Sequence, residues 1–170
     1  KEGDPQRVRG TLGLGLLTSR FHLEGPLVKD RTTFVIGART TYSDWMLRAI
    51  PKESSYANGS ADFTDANASI THKPDDSNVI SLSGYFARDK FAFNGDTTFH
   101  YHNLNAAAKW QHIFADGTRM TASVAADRYV NSLDNFINAT EAYTLQTAIN
   151  QGSAKLGFRT PVGRAHTVSY

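Results

Sequence analysis

The chain contains no cysteine in its 170 residues. That excludes disulfide frameworks, thiolate zinc sites and cysteine nucleophiles together. It also lacks any run of roughly 18 consecutive apolar residues, the length a membrane-crossing helix requires, so no segment crosses a bilayer as a helix. A transmembrane barrel stays open, because its strands need only every second residue apolar over about ten positions. Charge of one sign is missing as well: 18 Lys and Arg face 16 Asp and Glu without a long block of either. Nucleic acid is therefore not an expected partner. The first residues, Lys1-Glu2-Gly3-Asp4-Pro5, have no basic start followed by an apolar run and so form no signal peptide; if the protein is exported, the signal is expected upstream or already removed. No elbow motif surrounds a serine and no carboxylate pair stands apart from its strand context, so no enzyme activity and no cofactor are expected.

What the chain does have is alternation. Leu17, Ser19, Phe21 and Leu23 share one parity, and Thr18, Arg20, His22 and Glu24 the other. Phe34, Ile36, Ala38, Thr40 and Tyr42 likewise oppose Thr33, Val35, Gly37, Arg39 and Thr41. Successive side chains of a strand point to opposite faces, so this pattern describes a sheet with one apolar and one polar surface. Period-two segments recur over residues 7–16, 17–24, 33–42, 63–72, 79–89, 104–114, 118–129, about 147–160 and 165–170, about nine strands in all. Only 142–151 approaches a helical stripe.

Short and long connections alternate between these segments. The short ones, 25–30, 73–78, 115–117 and 161–164, are rich in Gly, Pro, Asn and Asp, the residues that turn a chain. The long ones, 43–62, 90–103 and 130–146, gather at the opposite end, with a short exception near Gly15. Short turns on one rim and long loops on the other is the layout of bacterial outer-membrane barrels. The apolar parity continues through Ile80, Leu82 and Phe86, Trp110 and Phe114, Met120, Ala122, Val124 and Ala126, and Ala154, Leu156 and Phe158. Tyr42, Trp45, Phe86, Trp110 and Phe114 are expected near strand ends, as in an interfacial aromatic girdle.

His100 and His102 share a parity but have no third ligand at a fixed spacing and are interleaved with Phe99 and Tyr101, so no metal site is expected. Asp62, Asp65 and Asn67 lack the glycine and glutamate of a calcium loop. Gly10, Gly13 and Gly15 precede no helix and so form no phosphate loop.

The run from Gly13 to Phe34, the following Ala38-Arg39-Thr40-Thr41-Tyr42-Ser43-Asp44, and later Phe63-Thr64-Asp65-Ala66-Asn67-Ala68, Ser83-Gly84-Tyr85-Phe86-Ala87-Arg88-Asp89-Lys90-Phe91 and Lys109-Trp110-Gln111-His112-Ile113-Phe114 resemble the first part of the barrel in TonB-dependent outer-membrane transporters. The resemblance is to the SusC-like branch whose plug follows a carboxypeptidase-regulatory-like domain, and it covers the chain to about Tyr129. It implies that residues 1–170 are part of a 22-stranded antiparallel transmembrane β-barrel, with the plug, the TonB-interacting box and the other strands elsewhere in a larger parent. It further implies a location in the bacterial outer membrane and import of a scarce glycan, peptide or metal chelate. The partners implied are outer-membrane lipid, the plug and remaining barrel, the TonB complex reached through the parent, and a surface lipoprotein.

Under that resemblance, Arg20, His22, Glu24, Arg39, Lys109, Asp127, Lys155 and Arg159 are expected to face the lumen and the plug. Trp45, Tyr56, Phe91, Phe93, Phe99, Tyr101 and Phe136 are expected on external loops, where exposed rings stack on solute. Two other readings of the residues remain: a soluble all-β ligand-binding module such as a sandwich, and a small complete outer-membrane barrel.

Overall fold

An alternating sequence favours extended chain, and in the computed structural model strands make up most of the described residues. The structure describes residues 2–43, 45–46, 51, 59–92, 96–138, 140–163 and 166–170. The strands are β1 (Arg9–Leu14), β2 (Thr18–Val28), β3 (Thr32–Tyr42), β4 (Ser60–Asp75), β5 (Asn78–Ala92), β6 (Thr97–Ile113), β7 (Arg119–Asn135), β8 (Tyr143–Val162) and β9 (His166–Ser169). They form one nine-stranded antiparallel sheet whose spatial order is the chain order, a pure meander.

Three expectations are corrected. The first turn is not at 25–30: Gly25 and Pro26 lie inside β2, paired with Phe34 and Thr33, and the chain reverses at 29–31 with Asp30 at φ 59°. Pro26 is tolerated because β1 stops pairing at Arg9↔Glu24, leaving β2 with one neighbour there. The second correction concerns length. Strands β5 and β6 run on to Ala92 and back from Thr97, so the expected loop 90–103 shrinks to residues 93–96, and the expected 130–146 to residues 136–142. The third is that the helix-like stretch 142–151 belongs to β8 from Tyr143 onward.

This sheet has almost no interior. Among the described residues the only buried hydrophobic side chain is Ala92, and no large side chain is fully buried. The exposed surface is 11812 Å², where a compact monomer of 18.7 kDa exposes about 8,300 Å². A second sheet that would turn the fold into a sandwich is not found among the described residues, and neither is pairing between β1 and β8 or β9 that would close a small barrel.

The register decides which residues share a face. Chained pairs such as Phe21↔Ala38, Ala38↔Ala66, Ala66↔Phe86 and Phe86↔Leu104 define the apolar side. Across the middle of the sheet that side forms a continuous belt, including Leu12, Phe21, Ile36, Ile70, Leu82, Val124 and Leu156, each at least 41% exposed. Aromatic residues edge it at the short-turn rim. Trp110 Nε1 donates to Asn78 Oδ1 at 3.0 Å, Phe158 and Tyr170 stack at 5.6 Å, and His112 meets Phe114 edge-on at 4.6 Å. Tyr42 and Trp45 lie at the other rim, where Trp45 Nε1 donates to Leu16 O at 2.9 Å. Phe86 is not near a strand end, as expected, but mid-strand at the upper margin of the belt.

Candidate functional site

The opposite, polar side is where the charged residues singled out in the sequence gather. Arg20, His22 and Glu24 of β2 pair with Arg39, Gly37 and Val35 of β3, and Arg39 pairs with Asp65 of β4. Lys109 pairs with Ser123 and Ser123 with Lys155, while Asp127 lies opposite Asn105 and Arg159 opposite Arg119. The chain of registers puts all eight expected lumen residues on one side of the sheet. Several are held there by direct bonds. Arg39 donates to Asp65 Oδ2 from Nε at 2.8 Å and from Nη2 at 2.6 Å, Asn105 Nδ2 donates to Asp127 Oδ1 at 2.5 Å, and His22 lies 3.6 Å from Glu24. Arg20 lies flat over β1, where a Cβ on Gly13 would come within 2.9 Å of its Nε.

Towards the short turns the polar side is floored by small residues. A cavity of about 490 Å³ is lined from five successive strands, β4 to β8, by Ser69, Thr71, Ser81, Ser83, Lys109, Ser123 and Lys155 among others. A single cavity lined from five strands requires the sheet to curl around its polar side. Residues 2–8 cross that side. Gly3 is buried against β3, Glu2 binds Lys73 at 2.8 Å, Gln6 donates to Asp30, and Asp30 N donates to Pro5 O at 3.3 Å. Thr33 and Thr71 are thereby among the few buried polar residues. Asp4 shapes the crossing: its carboxylate accepts from the N–H groups of Gln6 and Arg7 and pairs with Arg9 at 2.9 Å, and the two backbone donors, followed by the nearby cations, hold it below the usual carboxylate range.

Towards the long connections the alternation reverses. In β6, outward Leu104, Ala106 and Ala108 give way to outward His102 and His100, while inward Lys109 and Asn105 give way to inward Tyr101 and Phe99. The same inversion occurs in β7, between Val124 or Ala126 and Arg128 outside, and between Asp127 and Tyr129 inside. The inward side thus acquires an aromatic lining. Phe91 pairs with Phe99, Tyr101 lies between Asp89 and Asn131, and the rings of Tyr101 and Tyr129 are 6.5 Å apart. Tyr85, Asn105, Asp127 and Gln151 form the row below them. Rings interleaved with amides and carboxylates can stack on an apolar ring face while hydrogen-bonding its substituents.

Phe91, Phe99 and Tyr101 are therefore corrected from external loops to the upper, inward face of strands. Trp45 and exposed Phe136 remain at the long-connection rim, and Tyr56 and Phe93 lie outside the described residues. Tyr85 and Tyr129 are additions. The parity that marks them was present in the sequence, but it reads as interior only once the inversion is seen. Comparison of the chain with models of known protein families, with curated proteins and with solved structures finds no match.

Proposed function

We propose that this chain forms part of the wall of a TonB-dependent outer-membrane transporter, moving a scarce solute inward, with no catalytic role of its own. The observation that carries this reading is a sheet without an interior, whose one side is an apolar belt with aromatic margins and whose other side is polar. Such a sheet is stable when lipid covers the belt.

Two further observations support a domain seated on the polar side. The small-residue floor leaves room for one, and arginines stand directly opposite each other at Arg20↔Arg39 and Arg119↔Arg159. Like charges so placed repel unless a countercharge is brought to them. Asp65 supplies it for Arg39; acidic groups of a plug would supply it for Arg119 and Arg159. Residues 2–8 cross the polar side at the short-turn rim, the direction from which an upstream plug would arrive. In this reading the belt faces outer-membrane lipid and the aromatic lining above the plug meets the glycan, peptide or metal chelate. The TonB complex and any surface lipoprotein act through the parent protein.

Single cysteines in an otherwise cysteine-free background test the reading, and residues 1–170 contribute none of their own. Spin labels at Val124→Cys and Ala125→Cys of the full-length protein in outer-membrane vesicles should respond oppositely, the first to a lipid-soluble relaxant and the second to a water-soluble one. Equal response of both labels to the water-soluble relaxant would sink the membrane reading.

A further inference from the structure

Resting on that reading, we propose that Arg88, Lys90 and Arg128 form a binding site for the phosphate groups of an acylated outer-leaflet lipid. Among the described strand residues on the apolar side of the sheet, these three are the only lysines and arginines; the others on regular ladder positions point to the polar side. They are also neighbours. Arg88 pairs with His102, Lys90 with His100, and Arg128 with Leu104, so the three cations and two imidazoles sit on adjacent strands just above the apolar belt. Arg88, His102 and Arg128 are exposed.

A merely solvated margin would neutralise these cations within the protein. Of the acids on that side, Asp62 stands directly opposite Lys90 in the register, with no salt bridge between them, and Asp134 engages His100 at 3.3 Å. Among the described residues Arg88, Lys90 and Arg128 form no salt bridge. The register partners of Arg88 and Arg128 include no acid, so their two guanidinium groups are available to an anion, with Lys90 beside them, and a guanidinium fork matches phosphate oxygens two at a time.

The surface beneath the cations has the shape the rest of such a lipid requires. A groove of about 440 Å³ runs from Arg128 over Leu104, Ala106, Ala126 and Gly152. A second of about 200 Å³ lies further down the same side, lined by Ile80, Ala108, Ala122, Val124 and Trp110. Phosphate-binding groups above apolar grooves specify an amphiphile with a phosphorylated head and acyl chains, rather than free phosphate.

The test measures lipid retention. Full-length protein extracted from membranes is mixed with micelles containing a fluorescent, diphosphorylated, multiply acylated glucosamine disaccharide, and the lipid retained through a column is counted. Arg88→Gln with Arg128→Gln should lower retention about thirtyfold, about fivefold for each cation removed near a membrane surface. Lys29→Gln with Arg31→Gln, an equal loss of charge at the opposite rim, should leave it unchanged. Wild-type protein should retain the same lipid poorly once its phosphates are removed. Unchanged retention in the Arg88/Arg128 variant, with that variant still migrating faster unboiled than boiled in gels, overturns the proposal, as does equal retention of the dephosphorylated lipid. A protein absent from the outer-membrane fraction instead overturns the transporter reading on which the site depends.

Discussion

Val124 and Ala125 are adjacent in β7, yet the register sends one into the apolar belt and the other over the serine-lined floor. An arginine at 124 would carry its charge to the middle of the belt, whereas one at 125 would reach the polar side. In vesicles, Val124→Arg is expected to cost about 2–4 kcal/mol of unfolding free energy and Ala125→Arg well under half of that, read from denaturant midpoints. In water the two would differ little, because Val124 is already 56% exposed. Single residues of this kind were legible in the sequence wherever one parity rule held along a strand. That is why Arg20, Arg39, Lys109 and Lys155 sort correctly to one side. Tyr85 sorted to the polar side by parity but neither it nor Tyr129 was legible as part of a lining, because rings on the polar parity contradict the rule that identifies the apolar side lower down. Only pairing across β5, β6 and β7 shows that the inversion occurs at a common level and so marks a boundary rather than noise.

At the scale of the element, the β6–β7 turn shows how local chemistry sets a reversal. Asp116 accepts from the N–H and hydroxyl of Thr118 at 2.9 and 3.0 Å, Gly117 takes φ 81°, and Gly117 N donates to Phe114 O at 3.0 Å. Gly117→Ala would place a Cβ in left-handed backbone and is expected to cost about 1–2 kcal/mol, measured by thermal or denaturant unfolding. The Thr118 donors hold the Asp116 carboxyl below its ordinary value of 3.8. A lowered native pKa stabilises the fold above the ordinary value and ceases to do so as pH falls through the native one. The stability gap between wild type and Asp116→Ala should therefore be constant near neutrality and shrink below pH 3.8, seen in unfolding midpoints measured across that range. Most turns were visible from composition, although Gly25 and Pro26 misled by lying inside β2, and strand ends were not. The stretch 90–103 reads as loop because Asn, Gly, Asp and interleaved aromatics break the apolar-side pattern. The dipeptide Asn94-Gly95 is nevertheless a tight-hairpin signal, and strands on both sides of it continue well beyond the belt.

For the whole molecule, the N-terminal crossing is the clearest link between the sheet and whatever occupies its polar side. A Cβ on Gly3 would lie 2.5 Å from Phe34 O, closer than side-chain atoms come to backbone. Gly3→Val should lift residues 2–8 from the sheet and free the backbone around Arg7, whose side chain is already exposed, read as cleavage by trypsin several times faster after Arg7, with the strands themselves left intact. The meander itself has a different consequence, one for the order of assembly. Since each strand pairs only with its predecessor and successor, every strand pairing joins segments consecutive in the sequence, and closing each hairpin costs little chain entropy. The sheet can grow like a zip, one hairpin at a time against a waiting edge. A lesion in one strand then stalls the strands after it while sparing those before it, and each unfinished edge is adhesive until the next strand reaches it.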